Sequence, residues 1–372
     1  MSGQGLARRV IDVTEKRAIV SIPIDIAQVR TSLQAQLQKK PRYAQNCNLH
    51  LLAHGEANLI FRLNQHELVR VAVNTPNKRF GGNFSRVTQF EKTILLYLQG
   101  TDIGHQLHDA QTEPTDDFPY TFLITNYLEG RSLNYSHSDL EKAAATLAQL
   151  HRLPLNSDYD PQVLIPTVPK VDAPLTLFYQ EAKDYAQPYL DSPNAESEIV
   201  AMIRAVLEKA EDHLSAERLL SDYPHVCLVH SDHTYENWVV GEKQAFLVDW
   251  EWAEVGSPAG DLGHFLSPVT VRRRQDYRLP ESDRAFFLDR YYQALDDPEL
   301  ARRIERHFAA FGPFPALRSF CWTAGYWITA NRWYEDAEDS PSAAERLRRL
   351  NHSRQLFPEF YEELMAWFDE GG

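Results

Sequence analysis

A polar loop set between short apolar runs stands near the middle of this sequence. Residues 230–237 read His-Ser-Asp-His-Thr-Tyr-Glu-Asn, and apolar runs precede and follow them. A further apolar run at residues 245–248 ends in Asp249, twelve residues after Asn237. Short apolar runs of this kind predict buried strands, so the fold must bring the loop close to a strand end. Three polar side chains are then expected to meet, namely Asp232, Asn237 and Asp249.

These three side chains are the groups that phosphoryl transfer from a metal-bound nucleoside triphosphate requires. Asp232 is the candidate base that accepts the proton of the attacking hydroxyl. Asn237 and Asp249 are candidate Mg²⁺ ligands, because hard cations prefer oxygen atoms. His230 is expected to orient the loop by hydrogen bonding to the backbone. A single Asp or Asn in a loop is usually a turn former, so the joint spacing carries the catalytic interpretation.

Length, charge and cysteine spacing exclude several classes of protein. The 372 residues suffice for two domains or for one domain with two lobes. The net charge of −14 argues against a general nucleic-acid binder, although it is compatible with a cationic acceptor. Apolar stretches fall short of the roughly 20 residues that cross a bilayer. The three cysteines are widely spaced, which predicts a cytoplasmic protein without a disulfide framework or thiolate zinc site.

Hydrophobic periodicity divides the chain into a β-rich part and a helical part. Residues 1–20 lack periodicity and are expected to be loosely ordered, and residues 21–125 are expected to form a small mixed lobe. Its helices are predicted at 26–38 and 86–98, and its strands at 58–63, 67–73, 104–111 and 120–124. Residues 126–372 are expected to form a larger, mainly helical lobe. The predicted fold class is therefore α+β.

The periodicity of the second lobe predicts several helices and two brief strands. The strands are expected at 226–229 and 245–248, on either side of the polar loop. The helices are expected at 139–151, 195–220, 283–296, 299–310, 315–335 and 342–368. A β-rich lobe followed by a helical lobe leaves a cleft between them, and ligand sites favour such clefts.

The central motif resembles a known superfamily. Residues 228–240 read Leu-Val-His-Ser-Asp-His-Thr-Tyr-Glu-Asn-Trp-Val-Val, and residues 247–262 read Leu-Val-Asp-Trp-Glu-Trp-Ala-Glu-Val-Gly-Ser-Pro-Ala-Gly-Asp-Leu. They closely resemble the aminoglycoside phosphotransferase and choline kinase superfamily, whose signature pairs a His-Gly-Asp…Asn loop with Ile-Asp-Trp-Glu and a later Gly-x-x-x-x-Asp-Leu. Ser231 stands where Gly is commonest. The resemblance implies a protein-kinase-like fold and covers residues 50–335 in outline.

The resemblance also implies the residues that hold ATP. Gly55 and Asn58 fall where the nucleotide loop should be, although an ordinary loop is nearly as plausible there. Arg70 matches the cation that contacts the α- and β-phosphates, and Glu91 matches its carboxylate partner. For these two the alternatives are a solvated strand residue and a surface glutamate. Asn126 and Tyr127 match the hinge that reads the adenine edge, and Asp261 matches a buried carboxylate that braces the catalytic loop.

The acceptor is left open by the sequence. Tryptophans concentrate near the C-terminus, among them Trp322 and Trp327, and aromatic faces bind quaternary ammonium groups. Glu251 could bind an amine. These residues lean toward a cationic hydroxyl acceptor, but aromatic residues at helical spacing usually belong to the core. His230 is not followed by Arg and no Ala-Pro-Glu segment follows Asp249, so a small-molecule acceptor fits better than a protein.

Two alternatives to an ATP-dependent, or GTP-dependent, small-molecule kinase need weighing. The first is a catalytically silent relative that binds nucleotide and acts through partners. Its hallmark is the loss of Asp232, Asn237 or Asp249, and all three are present. The second is a metal hydrolase, suggested by the paired imidazoles of His230 and His233. A binuclear site would want a further histidine two residues before His230, where the chain has Leu228.

Overall fold

The computed structural model describes residues 24–370 except 55–56, 75–77, 156–167, 223, 273–276 and 335–340. The loosely ordered N-terminus predicted for residues 1–20 and the predicted phosphate-loop residue Gly55 lie outside the described residues.

The N-terminal part is a five-stranded antiparallel sheet in the order β1-β2-β3-β5-β4. Its strands are β1 (Leu49–His54), β2 (Asn58–Leu63), β3 (Glu67–Ala72), β4 (Leu107–Gln111) and β5 (Thr121–Asn126). Two helices accompany it, α1 (Ile26–Gln38) and α2 (Phe84–Tyr97). The side chains of Asp25 and Asn83 cap these helices by accepting hydrogen bonds from the amides of Gln28 and Arg86. The strands and helices predicted here are confirmed within a few residues.

Alternation along β3 decides which side chains face the functional site. Successive side chains of a strand point to opposite faces of a sheet. Val69 and Val71 pack with Leu33 of α1 in one buried cluster. Arg70, between the two valines, therefore points to the other face, where α2 lies, and there contacts Glu91.

The C-terminal part is mainly helical, which confirms the predicted α+β class. Its helices are α3 (His137–Arg152), α4 (Pro174–Leu190), α5 (Ser197–Asp212), α6 (Glu217–Asp222), α7 (Pro258–Leu266), α8 (Pro268–Val271), α9 (Glu281–Ala294), α10 (Pro298–Phe311), α11 (Pro313–Tyr334), α12 (Pro341–Gln355) and α13 (Phe357–Glu370). Among the described residues, no helix is both long and apolar enough to cross a membrane.

Some predicted elements differ from those observed. The single helix predicted at 342–368 is two helices, α12 and α13, and the one predicted at 195–220 ends at Asp212 before the short α6. Helix α4 was not predicted; it contains Pro188, which ordinarily signals a helix end. The boundary predicted at 125–126 falls at the end of β5, while the division into two lobes stays a prediction.

Four three-residue strands surround the polar loop. They are β6 (Cys227–Val229), β7 (Trp238–Val240), β8 (Ala245–Leu247) and β9 (Glu254–Gly256). The strands predicted near 226–229 and 245–248 exist, but each pairs with a strand that was not predicted. β6 pairs with β9 and β7 pairs with β8, both antiparallel. Strands this short carry no alternating pattern, so the sequence gives no sign of β7 or β9 as strands.

Candidate active site

The polar loop joins β6 to β7 and ends in a turn of 3₁₀-helix, Tyr235–Asn237. This turn folds Asn237 back onto the start of the loop. Asn237 Nδ2 donates to the carbonyl oxygen of Asp232 and to Asp232 Oδ2, both at 2.9 Å. The amide of Asn237 therefore fixes the backbone and the carboxylate of the predicted base together.

The β7–β8 hairpin brings Asp249 beside this loop. Trp238 lies opposite Leu247 in the hairpin, and the amide of Val248 donates to the carbonyl oxygen of Asn237 at 3.0 Å. Asp249 follows with a φ of 69°, in the left-handed region. Residues other than glycine and asparagine are uncommon in that region. This backbone conformation turns the chain just after β8. Asn237 and Asp249 are thereby neighbours at one end of the hairpin.

Arg70 connects the N-terminal sheet to this end of the hairpin. Its Nη2 lies 2.7 Å from Asp249 Oδ1 and 2.9 Å from Glu91 Oε1. The side chain of Arg70 is only 15% exposed. Burial alone lowers the pKa of Arg70, but the carboxylates of Asp249 and Glu91 outweigh it and raise that pKa above its ordinary value. Arg70 is thus a permanent cation between two carboxylates.

Three carboxyl groups, those of Asp249, Glu91 and Glu251, lie close enough to Arg70 to raise its pKa. Burial raises the pKa of Glu91 to about 7, with Arg70 opposing the rise and Asp249 adding to it. Burial and then the charge of Asp249 raise the pKa of Glu251 to about 8. These acidic groups crowd the end of the hairpin. Carboxylate and amide oxygens are the ligands that a hard divalent cation prefers, so the side chains of Asp249 and Asn237 fit Mg²⁺.

Asp261, on α7, holds the first half of the loop. Its carboxylate accepts the backbone amides of His230 at 2.9 Å and Ser231 at 2.8 Å. It also lies 3.1 Å from His151 Nε2 and 2.9 Å from His233 Nε2. Although burial opposes it, these imidazoles and hydrogen bonds hold the pKa of Asp261 well below its ordinary value. A fully buried carboxylate with four partners makes the loop rigid.

Ser231 and His230 have separate structural tasks in the loop. Ser231 has a φ of 65°, a conformation that glycine adopts without strain, which explains why glycine is commonest at this position in the superfamily. His230 Nε2 donates to the carbonyl oxygen of Val248 at 2.9 Å, and its Nδ1 accepts the amide of Asp232 at 3.3 Å. Burial lowers the pKa of His230 to about 4, so the ring is neutral.

The predicted nucleotide residues of the sheet lie at its ends. Asn58 is buried at the start of β2, opposite Ala72. At the end of β5, the carbonyl oxygen of Asn126 accepts from His105 Nδ1 at 2.9 Å and the Asn126 amide donates to Gln106. The amide of Tyr127 donates to the carbonyl oxygen of His66 at 2.8 Å. The backbone groups of Asn126 and Tyr127 already bond to other parts of the protein. Recognition of adenine by this segment therefore stays a prediction.

The three predicted acceptor residues lie in different surroundings. Glu251 lies close enough to Asp249, Arg70 and Asp232 for their charges to shift its pKa. Trp327 is buried in the helical core, and its Nε1 donates to Asn351 Oδ1 at 3.1 Å. This placement does not support acceptor binding by Trp327. Trp322 is 37% exposed and stacks on Tyr326, with 4.7 Å between the ring centroids. A role for Trp322 in acceptor binding stays a prediction.

Two arginines near the site were not predicted, one at the polar loop and one at the start of β9. Arg318, on α11, donates to the carbonyl oxygen of Ser231 at 3.3 Å and to Glu181 Oε2 at 3.2 Å. Arg79 donates to the carbonyl oxygen of Ala253 and to Glu254 Oε1, both at 3.0 Å. Arg318 and Arg79 reach their partners from segments distant in the sequence, so no local pattern could have found them.

His264 is a third missed residue, and a signal for it did exist. It follows Asp261 by three residues on α7, and residues three apart on a helix share a face. Because the resemblance already places Asp261 under the catalytic loop, helical spacing alone predicts that His264 also faces the loop. The amide of His233 donates to His264 Nδ1 at 2.9 Å.

A five-stranded sheet, a helical second part and this loop together define a kinase-like phosphotransferase fold. The family model of the phosphotransferase enzyme family matches residues 49–306. The chain therefore belongs to that family. A comparison with curated proteins found no match by sequence.

Solved structures share the fold at low sequence identity. An ethanolamine kinase of Plasmodium vivax is 14% identical with a TM-score of 0.54, over 88% of this chain and 86% of its own. A choline/ethanolamine kinase family protein of Mesorhizobium loti is 15% identical with a TM-score of 0.53, over 91% and 99%. The streptomycin–ATP complex of APH(2'')-IIa is 18% identical with a TM-score of 0.51, over 91% and 99%.

Proposed function

We propose that this protein is a small-molecule kinase that transfers the γ-phosphate of ATP to a hydroxyl group of its acceptor. The observation that carries the proposal is the convergence of Asp232, Asn237 and Asp249 at one end of the β7–β8 hairpin. Asn237 bonds to Asp232 at 2.9 Å, and Arg70 bonds to Asp249 at 2.7 Å. The backbone hydrogen bond from Val248 to Asn237 brings these two pairs side by side, so the candidate base, metal ligands and phosphate-binding cation are close together.

Asp232 is the base in this proposal. The acceptor O–H bond breaks and its proton passes to the Asp232 carboxylate. The acceptor oxygen forms a bond to the γ-phosphorus, while the bond from that phosphorus to the bridging oxygen breaks and ADP leaves with its electron pair. Phosphoryl transfer passes through a loose transition state, so catalysis is mainly positioning and charge neutralisation. A carboxylate fixed by Asn237 meets that need.

Asn237 and Asp249 are the residues that would hold Mg²⁺. Asn237 Nδ2 is bonded to Asp232, so Oδ1 is the atom of this amide that serves as a ligand. Bound Mg²⁺ neutralises charge on the phosphates. Arg70 contributes a cation that no accessible pH removes, and its guanidinium contacts phosphate oxygens while Glu91 holds it from α2.

The relatives support a donor and a class of acceptor for this proposal. APH(2'')-IIa was solved with ATP and streptomycin, and another relative is an ethanolamine kinase. Streptomycin and ethanolamine are both alcohols that carry basic nitrogen groups. A basic group on the acceptor would suit Glu251 beside Asp232 and Asp249, because a nearby cation lowers the raised pKa of this carboxyl group and favours its ionised form. The proposal therefore favours ATP, with GTP as the alternative donor, and an amine-bearing alcohol as acceptor.

The experiment is phosphate transfer from ATP and Mg²⁺ to a panel of compounds, scored by the gain in mass. The panel contains choline, ethanolamine, amino sugars, aminoglycosides, macrolides and hydroxy amino acids. Phosphate on one compound, absent with Asp232→Asn, supports the proposal. A protein that binds neither ATP nor GTP in the presence of Mg²⁺ contradicts it. Tight nucleotide binding without transfer to any compound or to water supports the alternative, a catalytically silent relative.

A further inference from the structure

One face of α7 contacts the backbone of the catalytic loop on both sides of Asp232. Asp261 accepts the amides of His230 and Ser231, which precede Asp232. One turn further along α7, His264 Nδ1 accepts the amide of His233 at 2.9 Å. Two side chains of the same helix therefore bond the backbone amides of His230 and Ser231, which precede Asp232, and of His233, which follows it.

The hydrogen bond from His233 decides which nitrogen of His264 carries a proton. Burial, followed by the charges of His233 and Arg318, lowers the pKa of His264 well below its ordinary value, so its ring is neutral. A neutral imidazole has one donor and one acceptor nitrogen. Nδ1 is the acceptor, because the His233 amide donates to it. Nε2 therefore carries the proton.

That Nε2–H group lies on the side of the ring where Asp232 stands. His264 Nε2 is 4.0 Å from Asp232 Oδ1, while the other carboxylate oxygen, Oδ2, accepts from Asn237 Nδ2 at 2.9 Å. A separation of 4.0 Å exceeds a hydrogen bond. Catalytic hydrogen bonds are often long in ligand-free enzymes and shorten when substrates bind.

We propose that His264 is a positioning residue for Asp232, donating its Nε2–H to Asp232 Oδ1 when donor and acceptor occupy the site. This inference rests on the proposed function, because it takes Asp232 to be the base. With Asn237 on one oxygen and His264 on the other, the plane of the carboxylate is fixed. A carboxylate oxygen has two lone pairs, so one hydrogen bond and the transferred proton do not compete for the same lone pair. His264 acts through Asp232 and touches no substrate.

Two conservative variants separate the two hydrogen bonds of His264, the one it donates to Asp232 and the one it accepts from the His233 amide. In His264→Asn, the oxygen of the introduced amide occupies the place of Nδ1 and still accepts the His233 amide, but no donor reaches Asp232. His264→Gln puts an amide N–H near the place of Nε2 and loses the contact with His233. Both are measured for melting temperature, affinity for Mg²⁺–ATP, and kcat of phosphate release to water, which needs no identified acceptor.

The proposal predicts opposite results for the two variants. His264→Asn should lower kcat about tenfold to a hundredfold with unchanged Mg²⁺–ATP affinity, the loss expected for one hydrogen bond to a charged group. His264→Gln should keep kcat within about threefold of the unaltered protein, even where its melting temperature falls. Unchanged kcat in His264→Asn overturns the proposal. An equal loss of kcat in both variants also overturns it, because His264 is then only a brace for the loop.

A spectroscopic test reads the same contact without turnover. In protein labelled with ¹⁵N-histidine and saturated with Mg²⁺ and a non-hydrolysable ATP analogue, with water in place of the acceptor, the His264 signals are assigned by their loss in His264→Asn. The proposal predicts a neutral ring with its proton on Nε2, and a displaced Nε2–H signal in Asp232→Asn. A proton on Nδ1, or a signal that ignores Asp232→Asn, overturns the proposal. Because this test needs no phosphate transfer, failure of the proposed function and failure of the His264 inference are told apart.

Discussion

Arg70 and Asp249 are 179 residues apart in the chain, yet Arg70 Nη2 donates to Asp249 Oδ1 at 2.7 Å. The arginine belongs to the N-terminal sheet and the aspartate to the end of the β7–β8 hairpin. This contact joins the candidate phosphate-binding cation to a candidate metal ligand. Under the proposed function, nucleotide phosphates would bind Arg70 and Mg²⁺ would bind Asp249, so both residues of the pair would gain a new partner.

Replacing Arg70 by methionine should weaken the binding of Mg²⁺–ATP. The loss removes charged hydrogen bonds to phosphate, so we expect the Kd to rise about tenfold to a hundredfold in calorimetric titration. The matched control is Arg86→Met, which removes an exposed arginine from the first turn of α2. Unchanged affinity in Arg70→Met, or an equal loss in Arg86→Met, contradicts the assignment of Arg70 to the phosphates.

The ligand-free protein should become less stable as the pH rises from about 6.5 to 8.5. The raised pKa values of Glu91, about 7, and Glu251, about 8, mean that the folded state keeps protons that the unfolded chain has released. Stability from these groups is complete at low pH and is lost as the pH rises through the folded pKa. The fall in the free energy of unfolding should be on the order of 1–2 kcal/mol.

Urea unfolding at several pH values checks this prediction. Buried neutral histidines such as His230 oppose this trend only near its lower end, because the unfolded chain has released most of its histidine protons by about pH 7.5. The double substitution Glu91→Gln with Glu251→Gln should flatten the dependence. If the free energy of unfolding of the double variant falls with pH as steeply as that of the unaltered protein, groups other than Glu91 and Glu251 cause the fall.

Ser231→Gly should stabilise the protein without loss of nucleotide binding. The left-handed backbone at Ser231 strains any residue with a Cβ atom, and glycine relieves that strain at some entropic cost. We expect the free energy of unfolding to rise by up to about 1 kcal/mol. Ser231→Ala is the control, because it removes the hydroxyl and keeps the strain. Equal gains from both would assign the effect to the hydroxyl.

Gly325→Ala should destabilise the crossing of α4 and α11. A Cβ atom at position 325 overlaps the backbone carbonyl oxygen of Tyr185, which yields only if a helix moves. We expect a loss of about 1–3 kcal/mol in the free energy of unfolding. Displacement of α11 also pulls Arg318 from Ser231, so phosphate transfer should fall as well.

Gly256→Ala is the matched control for the helix crossing. Its Cβ atom meets Val229 Cγ2 at 3.6 Å and Val171 Cβ at 3.9 Å, which are ordinary contacts. Thermal unfolding of both variants checks the pair, and equal melting temperatures would show that the helices adjust freely.

The sequence predicted the parts of the fold that depend on local pattern. Asp232, Asn237 and Asp249 lie within about 20 residues, and a loop followed by one short hairpin brings them together. The strand alternation around Arg70 is also local. Side chains that arrive from elsewhere carry no such pattern: Arg318 reaches the loop from α11, and Arg79 reaches the start of β9 from the segment before α2. Their contacts depend on tertiary packing that a single sequence does not reveal.

Strand pairing and helix α4 were missed for different physical reasons. Three residues are too few to show a period of two. The pairing of β6 with β9 is therefore set by tertiary packing, which local pattern does not reveal. Helix α4 contains Pro188 near its C-terminal end, and a proline removes a backbone donor that helices normally use. Local rules therefore argued against a helix that packing against α11 stabilises. His264, by contrast, could have been found by helical spacing from Asp261.

The release of phosphate from ATP in the presence of Mg²⁺ tests the central claim most directly, because water serves as acceptor and no substrate has to be known. We predict slow release by the unaltered protein. Asp232→Asn should abolish it while Mg²⁺–ATP affinity is kept, and Asp249→Ala should abolish both. Release at the same rate from all three proteins, or no nucleotide binding by any of them, would contradict the account.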